Sequence, residues 1–296
     1  MQIETRTSAL NPMRGAIMLI AGNCVLAGVL LGLQKLFPLA QDRLVVLMIT
    51  NALVGASIAA LKFRAVYEVF KRNLIGVSVW VPAACFAYAA FLVYPAQLPL
   101  GLFTIASALA PPIAALIFGR VEGRSDRSFT VSALVPLFLL GILAIMEGQF
   151  ATGANVVALF LFVLSCHTAA QFGLRSTAQE KDPPLVSAVV SLLAALLLFA
   201  IITARAPTLL VVSGRQFLAA MAFAPGILLL QFLHLSGLRN STLAGGALGM
   251  NTAVPIAILS EELYAREFRL PSLIVSGLYV LVILGRGLFA NSQVPT

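Results

Sequence analysis

The sequence predicts an all-α fold: a polytopic membrane bundle of ten transmembrane helices, built as two inverted five-helix repeats. Three observations predict it. Only 10% of the 296 residues are charged and 60% are hydrophobic, with a mean hydropathy of +1.00, whereas soluble domains carry about 25% charged residues. The apolar residues fall into ten stretches, each near the ~20 residues that cross a ~30 Å hydrocarbon core. Residues of the first half also recur in the second at a fixed offset, as in Pro111 and Pro255.

The first half, residues 1–150, holds spans at about 15–37, 43–61, 74–94, 98–118 and 130–147. Its opening apolar run has no small-residue cleavage site behind it, so it reads as a retained first helix. The basic stretches "KFRAVYEVFKR" and "GRVEGRSDR" separate the second span from the third and the fourth from the fifth. The second half, residues 151–296, holds spans at about 154–173, 184–203, 216–236, 243–261 and 271–290. The ninth ends at Glu261 and Glu262, and "YAREFR" turns the chain into the tenth. Connections this short leave no soluble domain. Small residues crowd "AGNCVLAGVLLG" and "STLAGGALG", as expected where helices pack closely inside lipid. Cys24, Cys85 and Cys166 lie in apolar runs without metal-ligand or disulfide spacing and read as small core hydrophobes.

An offset of 144 pairs Gly101 with Gly245, Pro111 with Pro255, Gly141 with Gly285, Ser132 with Ser276 and Asn23 with His167. Gly and Pro carry backbone meaning, so their shared spacing weighs most. Five spans are an odd number, so the second half enters the membrane upside down. Inverted repeats of this kind place a substrate site near midplane, between the halves. Lys and Arg set the orientation. With both termini cytoplasmic, thirteen of the 19 basic residues fall inside and six outside, as the positive-inside rule requires.

The stretch "NPMRGAIMLIAGNCVLAGVLLGLQKL" resembles the opening of an EamA-type member of the drug/metabolite transporter superfamily. There an "RGA" entry leads to a first helix that ends in Lys. "IASALAPPIAALIFG" and "NTAVPIAILSEELYAREFRLPSLIVSGLYVLVILG" resemble the family's fourth and its ninth-to-tenth helices: small residues, a Pro, a Glu about seven residues on, then a Gly. In the second half these are Pro255, Glu262 and Gly285. The first half departs from this pattern. Its acid, Glu122, stands in a basic loop eleven residues past Pro111, so the two acids are not symmetric partners and no shared role is assigned to them. The resemblance spans essentially the whole chain. It implies an inner-membrane exporter or exchanger of amino acids, other small metabolites or drugs.

Polar residues in mid-helix must face protein or a water-filled cavity. They nominate Asn23, Trp80, Tyr88, Ser107, His167, Gln171, Asn251 and Tyr279 as substrate-binding positions, with Gln34, Asn51 and Gln231 of the same kind. His167 and Gln171 stand four apart and share a helix face. Each of these positions has a plainer alternative in interhelical hydrogen bonding, and Trp80 in interfacial anchoring. Pro111, Pro112 and Pro255 each remove a helical hydrogen bond, giving a static kink or a hinge. Lys35, Glu261 and Glu262 sit near the outer mouth, either snorkelling to headgroups or forming a gate.

Other classes find little footing. The net charge of +8 comes from scattered basic residues, so no nucleic-acid partner is expected. No metal or cofactor motif appears: HExxH, GxSxG and a phosphate-binding Gly-rich loop are all absent from the sequence. The expectation is therefore a transporter, not an enzyme, whose partners are a small-molecule substrate and the bilayer. The alternatives are a lipid-handling scramblase or flippase and an integral-membrane enzyme. Cargo and oligomeric state are not encoded in any motif.

Overall fold

The structure, a computed structural model, describes residues 12–94, 100–121, 154–178, 180–205, 212–241, 246, 249–265, 270, 274, 276–279 and 281. Helices among them are α1 (Pro12–Leu36), α2 (Ala40–Arg72), α3 (Leu74–Val93), α4 (Leu100–Val121), α5 (Ala154–Thr177), α6 (Pro183–Arg205), α7 (Gly214–Arg239) and α8 (Ala253–Ala265). Six of these, α1–α3 and α5–α7, are long and apolar enough to cross a membrane. The chain is an all-helical, multi-pass membrane bundle. The predicted fifth span lies outside the described residues, and the tenth meets them at 274, 276–279 and 281, all helical.

Lipid, unlike water, cannot satisfy a free backbone N–H or C=O, so the apolar segments close their own hydrogen bonds as helices. Their outer faces stay apolar, with Ile17, Leu196, Leu218 and Met221 all more than half exposed. Cys24 is exposed as well, so the core role expected for it does not hold, while Cys85 is buried. The chief departure from expectation is α2. The stretch "KFRAVYEVFKR" is not a loop: helix continues through it to Arg72, past a kink at Lys62 (φ −139°, ψ 38°). Val66 and Val69 share one face there and are buried, while Arg64, Glu68 and Lys71 face out. At ~1.5 Å per residue, the 33 residues of α2 far outrun the ~30 Å core. The kink lets the excess turn aside.

Packing is dominated by α2 against α6. Beyond that pair, α3 packs on α5 and α1 on α7; α4 packs on α5 and α8 on α1; α2 also meets α7, α3 meets α6, and α4 meets α8. Helix ends gather on two opposite faces. On the first, Arg72 pairs with Glu180 at 3.6 Å, Asn73 Nδ2 donates to Glu180 at 3.1 Å, and Arg239 donates to the Lys181 carbonyl at 3.2 Å. On the second, Arg215 donates to the Leu36 carbonyl at 2.8 Å and covers the Phe37 ring. Ser213 and Gln216 form a capping box there, and Gln216 Nε2 reaches on to Asp42 at 2.8 Å.

Glycines bring two helix pairs into backbone contact, both near the first face. At Gly173 of α5 an added Cβ would strike the Gly76 carbonyl oxygen and lie 2.6 Å from the Trp80 nitrogen. At Gly237 of α7 it would lie 2.7 Å from Leu19 Cγ and 3.1 Å from the Gly15 carbonyl oxygen. Small residues allow such approach, and dispersion between backbones then holds the helices. Gly173→Ala is therefore expected to cost about 1–3 kcal/mol, the usual range for overpacking. Gly28→Ala, where nothing lies within 4 Å, should leave stability unchanged. Thermal unfolding of the two purified variants in detergent checks this, and equal melting would contradict the close approach.

Candidate functional site

At mid-height the helices enclose a cavity of about 150 Å³. One wall comes from α3, α4 and α5, with Trp80, Tyr88, Ser107, His167 and Gln171. The opposite wall comes from α1, α7 and the residues leading into α8, with Asn23, Gln231, His234 and Met250. Between the walls α2 contributes Leu47 and Asn51, and α6 contributes Val190, Ala194 and Leu198. Six of the eight nominated binding residues thus meet in one place, and no charged side chain lies among the described lining.

Each polar side chain of the α1–α7 wall has a protein partner. Asn23, 1% exposed, donates from Nδ2 to the carbonyls of Gly249 (3.1 Å) and Met250 (3.3 Å) and to Thr252 Oγ1 (2.8 Å). Thr252 Oγ1 itself donates to the Gly249 carbonyl at 2.7 Å. These partners fix the amide orientation, so Asn23 Oδ1 faces His234 Nε2 at 3.1 Å and accepts its proton. The network has a backbone cause. The helix is interrupted at Thr252, and Pro255 cannot supply the N–H that the Asn251 carbonyl would otherwise accept. A side chain from α1 satisfies the carbonyls beside the break, as lipid burial demands. On α7, Gln231 exchanges hydrogen bonds with Ser191 of α6 at 3.1–3.2 Å. Asn51 Nδ2 is held by the Leu47 carbonyl at 2.9 Å.

The α3–α5 wall differs. His167 is packed edge-on against Phe103 (5.0 Å between centroids) and Tyr88 (6.0 Å), with Phe91 stacked behind Phe103 at 4.5 Å. These rings pack the imidazole in place. His167 Nε2 and Gln171 Oε1, one helical turn apart, are buried without a hydrogen-bond partner among the described residues.

Other nominated residues lie off the cavity. Asn251 and Tyr279 are 1% exposed and do not line it. The Tyr279 phenol sits beside the Asn251 side chain, away from the cavity. Pro111 and Pro112 are buried in α4 and Pro255 in α8. The ninth-span segment runs parallel to α1, since Gly249 abuts Leu19 and Thr252 meets Asn23. Glu262 and Lys35 therefore lie toward the same face. They are not joined: the buried Glu262 carboxylate has no hydrogen-bond partner among the described residues. The Glu261 side chain lies outside the described residues. His234 was not nominated. Its spacing of three from Gln231 on one face, echoing His167 and Gln171, is the signal that would have found it.

Asn23→Leu removes the partner of two carbonyls, one hydroxyl and one imidazole at once. A loss of about 1–3 kcal/mol is expected, the cost of leaving buried polar groups unmet. Unfolding of the variant in mixed micelles measures it, and wild-type stability would show that the break needs no outside partner.

No family model matches the sequence, and no curated protein does. A solved structure described only as a crystal structure of protein is similar over 95% of this chain and 99% of its own, with a TM-score of 0.67 and 17% sequence identity. At that identity the likeness concerns the fold alone.

Proposed function

We propose that this chain is a secondary transporter of a small metabolite, an amino acid or drug-like solute. It would act as an exporter or exchanger by alternating access, with the ten-helix, inverted-repeat architecture of the EamA-type transporters it resembles. The observation that carries this is a cavity at mid-height, largely apolar but set with several polar side chains, between two walls of matching construction. Replacing α1–α4 by α5–α8 in order turns the packing pairs into one another: α3·α5 becomes α7·α1, and α4·α5 becomes α8·α1. Asn23 and His167, paired by the sequence offset, occupy opposite walls. Asn73 and Arg72 tie the start of α3 to the α5–α6 junction on one face. Arg215 and Gln216 tie the start of α7 to the α1–α2 junction on the other. Such inverted counterparts are what two repeats of opposite orientation produce.

The first face carries Arg14, Lys62, Arg64, Lys71, Arg72, Arg175, Lys181 and Arg239, against Lys35, Arg43 and Arg215 on the second. By the positive-inside rule the first is cytoplasmic, and the EamA-type resemblance implies an inner-membrane location. A lipid-handling function requires a polar groove that reaches lipid along the bundle. A cavity of about 150 Å³ at mid-height suits a compact solute instead.

The test is flux of a metabolite panel into proteoliposomes. His167→Ala is expected to slow transport about tenfold, the equivalent of losing ~1.4 kcal/mol at one buried polar contact. The variant should elute and melt as the wild type does. Unchanged flux across the pH range would remove His167 from the pathway.

A further inference from the structure

We infer that the cavity receives an uncharged, flat solute whose edge carries a hydrogen-bond donor beside an acceptor, and that His167 and Gln171 read that edge. This deepens the transport reading and rests on it. It begins from an imbalance between the walls. Asn23, His234, Gln231 and Asn51 already spend hydrogen-bonding groups on protein partners. His167 and Gln171, 6% and 5% exposed, line the cavity, and their Nε2 and Oε1 lie covered and unmet just behind its surface, where a turn of either side chain brings them to a solute. A buried polar atom without a partner is costly, and two of them one turn apart on one helix face form a pair. Gln171 Oε1 can only accept, so the solute must donate there. A neutral imidazole nitrogen either donates or accepts by tautomer, so His167 suits the neighbouring atom of the same edge.

Charge narrows the class further. The described lining holds no charged side chain, and an ion entering a dry site needs a counter-charge or a dense set of hydrogen bonds. A free amino acid would bring an ammonium and a carboxylate together and find neither met. The flanking surfaces fit a ring: Trp80 and Tyr88 line the same wall, and Tyr88 stands edge-on to His167 with an interplanar angle of 88°. Lactams and nitrogen heteroaromatics of about one or two rings combine these traits.

The experiment titrates the purified full-length protein in nanodiscs with nicotinamide, uracil and hypoxanthine, and in parallel with L-tryptophan and L-phenylalanine. At least one of the neutral probes should bind saturably and more tightly than either amino acid. Gln171→Leu and Gln171→Met should each weaken that probe about tenfold, as loss of one buried hydrogen bond does. Neither should lower the melting temperature of the ligand-free protein, because removing an unmet buried oxygen relieves a cost; a residue needed only for packing would lower it. Three results overturn the inference: amino acids binding as tightly as the neutral probes, no neutral probe binding, so that water alone meets the two atoms, or neutral binding indifferent to both Gln171 variants. Flux in proteoliposomes separates this from the transport reading. Binding of a neutral probe through Gln171 without its passage defeats transport alone. Gln171-independent passage of the amino acids defeats the solute class alone.

Discussion

The Asn23 side chain ties α1 to the break in the ninth-span segment and to His234 of α7. Pro255 takes the helical donor from the Asn251 carbonyl, the helix turns at Thr252, and in lipid no water makes up for lost backbone hydrogen bonds. One amide nitrogen serves the Gly249 and Met250 carbonyls and the Thr252 hydroxyl, and its oxygen takes the proton of His234. Three segments distant in sequence are thereby fixed at mid-height, where the cavity lies. The position of the cavity wall, the tautomer of His234 and the path of the ninth span all follow from this contact. A residue that reads as cargo-binding in the sequence acts first as a structural tie that happens to border the cavity.

Much of the architecture was legible because lipid simplifies the code. Hydropathy alone located α1, α3, α5, α6 and α7 to within a few residues, since each must be apolar along its whole crossing. It failed for the end of α2, where Val66 and Val69 continue a helix among charges that read as a loop. The candidate site was legible in kind: mid-helix polarity nominated six of the lining residues. It was not legible in state. Sequence cannot tell Asn23, whose hydrogen bonds are spent, from His167, whose Nε2 is not, because that depends on which helices stand opposite. For the same reason Asn251 and Tyr279 were nominated together and are found beside each other, off the cavity.

The two halves also differ in an informative way. The end ties have counterparts on opposite faces, but the glycine contacts do not. Gly76 with Gly173 and Gly15 with Gly237 both lie toward the first face.

Those glycines give the two faces different mechanics of parting. On the second face Arg215 and Gln216 hold neighbouring segments by long side chains, and rotamer changes of such groups take picoseconds to nanoseconds. Where Gly173 meets Gly76 there is no side chain to swing aside, so separation moves whole helices, a motion on the order of microseconds to milliseconds. One face behaves as a latch and the other as a weld.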